Sequence, residues 1–288
     1  MRHEDSFRAM DTDIDVIIDS PDAVRPFGLF AGVRLLFESQ EERFSRFRPT
    51  SLVSRLNAGE AVDDPWLAAA CRMALDAHAF TGGIFNPLIL ESLERAGYAT
   101  TFRDVAGGEP QPIPPPSPAE ALTVSGSVVT LREGRLDLGG IIKGWTVDLA
   151  VEMLANSEPN VLVNAGGDLR CAGSEEGSDG WLVTVARPGE GGANAWEGTI
   201  HGALATSTSL KRRWKTSTGA EAHHLIDPRT GLPSSSTFVQ VSAWHELTWK
   251  AECWAKAVLI GGEETGRLAA AAGVRILAIG AEGSALSV

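Results

Sequence analysis

A glycine-rich turn that carries one lysine is the segment of this sequence best suited to chemistry. Residues 137–144 read Asp-Leu-Gly-Gly-Ile-Ile-Lys-Gly, with Lys143 between a predicted strand end and a predicted helix start. Such a turn directs backbone N–H groups, the positive end of a helix and an ammonium group towards one point, which suits a phosphate. The spacing matches neither the dinucleotide-binding nor the P-loop fingerprint. A tight turn with a solvated lysine explains the pattern equally well.

Two further polar segments could lie beside an anionic ligand. Residues 164–170 place two glycines and Asp168 after a predicted strand, where glycines admit either a ligand or a strained turn. Residues 223–233 place His, Asp and Arg in a turn-rich stretch. The adjacent His223 and His224 suggest a metal, yet no supporting ligand spacing accompanies them. For Asp227 we prefer a turn-capping role.

Three other segments combine ligand-binding residue types with ordinary structural explanations. Residues 81–87 join two glycines to an aromatic ring and an amide that could line a planar ligand, although a hydrophobic plug is the commoner role. Residues 45–51 hold two arginines and an aromatic, and residues 206–213 are rich in hydroxyl groups and basic side chains. Both are also typical of a solvated surface. No single segment decides the function.

The composition favours a folded protein that acts on small molecules or proteins rather than on nucleic acid. The chain has 288 residues, of which 43% are apolar and 22% charged, which is enough for a substantial core. Its 25 basic and 37 acidic residues give a net charge of −12. A nucleic acid would have to bind against that field, whereas a pocket can still collect a few cations for a small anion.

The cysteines and the apolar runs indicate a cytoplasmic location. Cys71, Cys171 and Cys253 are odd in number and widely spaced, which argues against a disulfide framework and against a thiolate zinc site. The charged start of the chain does not resemble a signal peptide. No run approaches the roughly 18 apolar residues of a membrane span, so we expect none.

The predicted elements that must position these residues favour an α+β fold, because strands come in runs instead of alternating strictly with helices. Asp64-Pro65 should begin a helix, with Asp64 as its cap. A proline-rich surface connection is expected near residues 107–118. The remaining predictions are helices at 33–47, 145–154, 249–260 and 263–271, strands at 13–19, 161–163, 181–185, 198–205, 238–243 and 274–279, and a hairpin pairing 127–131 with 135–138.

Taken in chain order, these segments resemble the ApbE family, the FAD:protein FMN transferases. The most specific pair is Asp-Leu-Gly-Gly-x-x-Lys-Gly at 137–144 followed by His-x-x-Asp-Pro-x-Thr-Gly at 224–231. The other matches are residues 10–12, 44–51 with 56–57, 81–87, Asp148, 164–168, 205–207 and 232–233. The resemblance implies one ApbE-like, T-fold-like domain over residues 1–288, in which mixed sheets and packed helices form a flavin cleft.

The resemblance also implies a reaction and its residues. FMN would pass from FAD to a Ser or Thr hydroxyl of a partner flavoprotein, with release of AMP and a requirement for Mg²⁺. His224 and Lys143 would be catalytic, the lysine neutralising the pyrophosphate and the histidine either relaying the acceptor's proton or orienting the flavin. Phe47 stands where many relatives have Tyr. The residues implied to contact FAD are Met10, Phe47, Ile84, Phe85, Asn86, Asp137, Lys143 and Leu225.

The implied metal site is where this chain departs from the family pattern. Relatives carry Asp and, four residues later, Thr on the C-terminal helix, and a carbonyl from the Gly140 position completes the ligand set. The corresponding residues here are Glu252 and Lys256. Lys256 either replaces the ion as a fixed positive charge or pairs with Glu252 one helical turn away, and we favour the first. Two other functions stay open: FAD binding without transfer, and hydrolysis of FAD to FMN and AMP.

Overall fold

The computed structural model describes residues 1–105, 107–189 and 193–287 and confirms the α+β class. Within these residues no helix is both long and apolar enough to pass through a membrane. The helices are α1 (Arg25–Phe44), α2 (Leu52–Asn57), α3 (Pro65–Phe80), α4 (Leu90–Arg95), α5 (Pro118–Ala121), α6 (Ile142–Ala155) and α7 (Thr248–Ala271), with a 3₁₀ turn at Phe102–Asp104.

The strands divide between one large antiparallel sheet and several small ones. Across the described residues the large sheet has the order β1-β2-β6-β7-β10-β15-β16-β17. The strands are β1 (Arg2–Ala9), β2 (Thr12–Asp19), β3 (Val62–Asp63), β4 (Leu122–Ser125), β5 (Val128–Leu131), β6 (Asn160–Ala165), β7 (Asp168–Ala172), β8 (Trp181–Ala186), β9 (Asn194–Ile200), β10 (Gly202–Thr208), β11 (Arg213–Lys215), β12 (Glu221–His223), β13 (Ile226–Asp227), β14 (Leu232–Pro233), β15 (Phe238–His245), β16 (Arg275–Gly280) and β17 (Ala285–Ser287).

The large sheet is covered on both faces, as its alternating side chains show. Val161 and Val163 of β6 pack with Val151 of α6 in one core cluster. Leu162, between them, packs with Trp181 on the opposite face, where the β8–β9 hairpin lies. Successive side chains of a strand point to opposite faces, so both faces are buried.

Helix α7 covers the other half of the sheet. Its residues Ala255 and Val258 pack against Ala205 and Ala243 of β10 and β15. The helix geometry is interrupted at Gly262, whose φ of 70° favours glycine. The sequence-based prediction of two helices in this region reflects that break.

A second core packs α3 against the three-stranded sheet β3-β5-β4. Leu67, Cys71 and Ala74 line the buried face of α3. The Asp64 side chain accepts hydrogen bonds from the N–H groups of Trp66 and Leu67 at 2.8 and 2.9 Å, so the predicted cap is confirmed.

Replacing Asp64 with alanine is expected to lower the free energy of unfolding by about 1 kcal/mol, because two N–H groups of the first turn lose their acceptor. The measurement is urea unfolding followed by circular dichroism. Asp179→Ala, in an exposed loop, is the control and should change stability by less than about 0.5 kcal/mol. Equal effects of the two substitutions would contradict the capping role.

The predicted hairpin between residues 127–131 and 135–138 is wrong. Strand β5 instead pairs with β4 around a turn at Gly126, whose φ is 59°. Residues 135–138 leave the sheet because Asn57 accepts the N–H of Leu136 at 2.7 Å and donates to its carbonyl at 2.9 Å. The Asn57 amide thus takes the place of a neighbouring strand for Leu136. A pattern in residues 127–138 alone does not reveal this contact, because Asn57 lies far away in the sequence.

The predicted strand at 198–205 is two strands in the structure. Strand β9 pairs with β8, and β10 pairs with β7 and β15 in the large sheet. The chain changes sheets at His201 and Gly202, where Gly202 has a φ of 85°. Apolar residues stand on both sides of the break, so the sequence-based prediction merged the two strands.

The proline-rich segment of residues 107–117 forms neither helix nor strand, and most of its residues are exposed or half-buried. The predicted helix at 33–47 begins earlier and ends at Phe44, which leaves Phe47 in the turn that follows α1.

Candidate active site

The turn of residues 137–144 brings α6 into close contact with α7. The Gly144 N–H donates to Glu252 Oε2 at 2.8 Å. A Cβ added at Gly144 would lie 2.8 Å from that oxygen and 2.9 Å from the backbone of Trp249. Only glycine therefore lets the two helices approach so closely that a side chain of α7 reaches the backbone of α6.

Four charged side chains meet at this contact, and we call Lys143, Asp168, Glu252 and Lys256 the charged cluster. Glu252 is fully buried, and its Oε1 lies 2.7 Å from Lys256 Nζ and 3.9 Å from Lys143 Nζ. Lys143 forms an ion pair with Asp168 and donates to the Ala165 carbonyl at 3.1 Å. The pairing of Lys256 with Glu252, one of the two predicted alternatives, is thus present.

Burial and mutual charge shift the pKa values of Lys143 and Glu252 in the charged cluster. The pKa of Lys143 is lowered to about 7, chiefly by burial, with Glu252 raising it and Lys256, Arg212 and Lys211 lowering it. Burial alone would raise the pKa of Glu252, but Lys256 and Lys143 hold it below its usual value. Glu252 is therefore a buried carboxylate between two lysine side chains, and Arg212 and Lys211 lie close enough to act on Lys143.

His224 lies beside these cations as a neutral imidazole. Burial, then Arg212 and Lys256, lower its pKa well below the usual value of 6.5. Its Nδ1 atom is enclosed and has no hydrogen-bond partner among the described residues. The neighbouring His223 differs, since its Nε2 lies 3.0 Å from the Ser234 carbonyl and its Nδ1 accepts the Leu225 N–H at 3.3 Å. Only His224 of this pair keeps an unused nitrogen.

Arg46 pairs with Asp137 and stacks on two aromatic rings. Arg46 Nε lies 3.0 Å from Asp137 Oδ2, and both side chains are largely buried. The Arg46 guanidinium stacks on the rings of Phe47 and Tyr98, with centroid distances of 4.2 and 4.6 Å. Phe47 remains 40% exposed. The Phe47 ring is therefore available to a ligand, and its stacking with the Arg46 guanidinium holds it in position.

Met10 and Asp11 form the turn between β1 and β2, with φ values of 51° and 57°. Positive φ at both central positions is the geometry of a tight hairpin turn. The Met10 N–H donates to Glu41 Oε2 at 2.8 Å, and Asp11 Oδ2 lies 3.6 Å from an Arg212 nitrogen. The turn thus connects to Arg212, whose charge acts on His224 and Lys143.

The predicted flavin contacts at 84–86 and at Leu225 are buried. Ile84 and Leu225 share a core cluster with α7, whereas Phe85 belongs to the core around α3. Asn86 donates to the Pro116 carbonyl at 3.1 Å and accepts the Leu88 N–H at 2.8 Å, so its amide holds the backbone.

The structure brings most of the predicted site residues into one region. A Cβ added at Gly140 would lie 3.2 Å from the Phe85 ring and 3.5 Å from Lys256 Cδ and Cε. Asp137 and Asp11 both influence the pKa of Tyr98, which burial raises. Gly140 therefore lies between Phe85 and Lys256, and the β1–β2 turn and Asp137 both lie within electrostatic range of Tyr98.

The profile of the ApbE family matches residues 10–278 of this sequence. The chain belongs to the ApbE family. The resemblance inferred from the motifs is thereby confirmed.

Relatives and a solved structure agree with this membership. A protein of Rhodobacter capsulatus named FAD:protein FMN transferase is 30% identical over 253 residues, which cover 81% of this chain and 46% of that protein. One of the same name from Vibrio cholerae is 29% identical over 157 residues, or 53% of this chain and 47% of its own length. This chain thus spans about half the length of these two curated relatives.

The fold is that of known ApbE structures. The ApbE protein of Thermotoga maritima superposes with a TM-score of 0.89 at 22% identity, covering 100% of this chain and 97% of that one. The predicted ApbE-like fold is confirmed.

The magnesium ligands implied by the family resemblance do not fit this chain. Gly140 and Glu252 do flank one position, but the Lys256 side chain lies there. Both oxygens of Glu252 already have hydrogen-bond donors, from Lys256 and from Gly144. Among the described residues no group of three His, Cys, Asp or Glu side chains could hold a metal. The position carries an ammonium where a metal needs a lone pair.

The sequence did not predict the contacts that several residues make in the candidate site. For Arg46 the sequence left ligand binding and a solvated surface open, and the structure shows it as a buried partner of Asp137. It gave Asp168 no ion-pair role, although the two glycines before it show that the backbone turns tightly there. Tyr98 lies in no motif, so no local signal marks its contact with Arg46.

Proposed function

We propose that this chain transfers FMN from FAD to a Ser or Thr hydroxyl of a partner flavoprotein and releases AMP. The observation that carries the proposal is a neutral His224 with an unused nitrogen beside several cations, in a chain whose net charge is −12. Cations concentrated at one place against the overall charge suit a pyrophosphate. Membership of the ApbE family and the name of the matched relatives support the same reaction.

The reaction requires placement and charge neutralisation more than covalent chemistry by the enzyme. The acceptor oxygen forms a bond to the FMN phosphorus, the bond from that phosphorus to the bridging oxygen breaks, and AMP leaves with the bridging oxygen. The hydroxyl proton passes to His224, whose neutral ring can accept it. Lys143, Lys256 and Arg212 offset the negative charge of the pyrophosphate.

The flavin site consists of the residues around the charged cluster. Phe47 presents an exposed ring that Arg46 supports, which suits stacking against an isoalloxazine. Asp137 is held by Arg46 at the entrance to the turn. The proposed flavin contacts are Met10, Phe47, Ile84, Phe85, Asn86, Asp137, Lys143 and Leu225.

The test incubates the full chain with FAD and a recombinant flavoprotein that carries an acceptor Thr. Flavin fluorescence on the denatured acceptor and free AMP are both measured, and an acceptor with Thr→Val at the modified position is the control. Fluorescent acceptor with an equal amount of AMP supports the proposal. AMP without labelled acceptor would instead identify an FAD pyrophosphatase, and unchanged FAD would identify a flavin-binding protein.

The pH dependence of transfer should reflect the lowered pKa of His224. Acidification protonates the imidazole and removes the proton acceptor, so the rate falls at low pH. The usual pKa of a histidine is 6.5, and that of His224 lies well below it. We therefore expect protonation of His224 to cause no loss of kcat/KM between pH 8 and pH 6.5. Lys256→Met removes one neighbouring cation and should move the acid limb to higher pH. A wild-type acid limb at or above 6.5 would contradict this assignment.

A further inference from the structure

A lysine stands at the cation position of this ApbE chain. Lys256 lies one helical turn after Glu252 on α7, and their charged groups are 2.7 Å apart. Its Cδ and Cε pass beside Gly140, at 3.5 Å from where a Cβ of that residue would be. The side chain therefore crosses from α7 to the glycine-rich turn and fills the space between the two implied magnesium ligands.

The surroundings favour an ammonium over a divalent ion at this position. Glu252 Oε2 accepts a backbone N–H, and Oε1 accepts from Lys256 with Lys143 Nζ at 3.9 Å. A magnesium ion on Oε1 would stand beside the Lys256 ammonium, 2.7 Å from that oxygen, and like charges at such separations repel strongly away from bulk water. Neither lysine has a lone pair to offer while protonated. Both oxygens of Glu252 thus already accept hydrogen bonds from this chain, which leaves neither free for a metal ion.

Lys256 also has the capacity to bind phosphate oxygens. An ammonium group has three N–H donors, and within the described residues its one hydrogen bond is to Glu252. The side chain is 17% exposed, so it is not sealed in the core. Its charge acts on both His224 and Lys143, which places it beside the two proposed catalytic residues. Hydrogen bonds from an ammonium to a phosphate are of the strong, charge-assisted kind.

We propose that the Lys256 ammonium is the resident cation at the FAD pyrophosphate, so that this chain binds FAD without a divalent metal. The inference rests on the proposed function, because it assigns a residue to the same site. Glu252 then acts as a positioning residue, since it holds Lys256 and is buried away from the ligand.

The experiment titrates FAD into the full chain by calorimetry, once in EDTA and once in excess magnesium. The wild type is expected to give the same Kd in both buffers, within about threefold. Lys256→Met should weaken binding about tenfold to hundredfold in both buffers, since one charge-assisted bond is lost. Lys256→Thr restores a hydroxyl ligand beside Glu252, and its affinity should recover when magnesium is added.

Two controls separate the inference from a general loss of structure. Lys250→Met changes a lysine on the same helix whose ammonium lies over the Trp249 ring, and its Kd should match the wild type. Binding of Mn²⁺, followed by electron paramagnetic resonance in the absence of FAD, should be detected in Lys256→Thr and not in the wild type. Circular dichroism verifies that each variant is folded.

The outcomes distinguish this inference from the proposed function. FAD binding by the wild type in magnesium but not in EDTA would overturn the role of Lys256 and leave the transfer proposal standing. An unchanged Kd for Lys256→Met would overturn it as well. A wild type that binds no FAD in either buffer would overturn both.

Discussion

Replacing His224 with glutamine is expected to lower the rate of FMN transfer about a thousandfold, within the range of general acid–base catalysis. Glutamine retains polarity and size but cannot take up the acceptor's proton. The Kd for FAD should change little, because the pyrophosphate is held by cations and not by the imidazole. The measurement is single-turnover labelling of the acceptor at saturating FAD, together with calorimetry for the Kd.

His223→Gln is the matched control for this prediction. Both nitrogens of His223 contact the backbone, at Ser234 and Leu225, so its loss perturbs the same loop without removing an unused nitrogen. We expect at most a modest change in its transfer rate. Imidazole added to His224→Ala should restore part of the activity, since it can enter the space of the lost ring. Equal losses in the two glutamine variants, with no rescue, would mean that His224 is only structural.

The second large effect concerns Asp148, a buried carboxylate of α6 that caps α7. It accepts the N–H groups of Thr248 and Trp249 at 2.8 and 3.1 Å and lies 3.3 Å from Arg170 Nη1. Asp148→Ala is expected to lower the free energy of unfolding by about 3 to 5 kcal/mol, because it leaves two N–H groups of α7 without an acceptor and removes one of the two carboxylates that pair with Arg170. Urea unfolding measures the change.

Asp148→Asn should cost much less than the alanine variant. Asparagine keeps an acceptor oxygen for the start of α7, and burial raises the pKa of Asp148 to about 6, so the charged carboxylate carries a desolvation cost that an amide avoids. By the same shift, protonation of Asp148 should add stability as the pH falls from 6 towards 4, because the folded state binds that proton more tightly than the unfolded chain. Equal losses for Ala and Asn would show that the charge, not the acceptor, holds α7.

Much of the fold follows from local patterns in the sequence. Asp64 and Pro65 predict the start of α3, and the continuous apolar run Val161-Leu162-Val163 in β6 is typical of a strand buried on both faces. The conformation of residues 135–138 could not be predicted, since it depends on Asn57, which is distant in sequence. The break between β9 and β10 depends on a change of sheet at Gly202, which the strand-like pattern of residues 198–205 does not reveal.

In the candidate site too, some residues could be predicted from the sequence and others depend on contacts between distant segments. The family resemblance, which rests on residue type and spacing, singles out Lys143, His224 and Glu252 as candidate site residues. The pairing of Arg46 with Asp137 and of Lys143 with Asp168 depends on segments that meet only in the folded chain. Whether Lys256 would pair with Glu252 was open from spacing alone, since an i, i+4 geometry permits the contact without requiring it.

The central claim is that the charged cluster and the glycine turns bind the pyrophosphate of FAD. Calorimetric titration of the wild-type chain with FAD and, separately, with riboflavin tests it most directly, because riboflavin shares the ring system and lacks the phosphates. We predict saturable one-site binding of FAD with a Kd at or below about 10 μM and riboflavin at least about a hundredfold weaker. No heat of binding with FAD at millimolar concentration, or equal affinity for the two ligands, would contradict the claim.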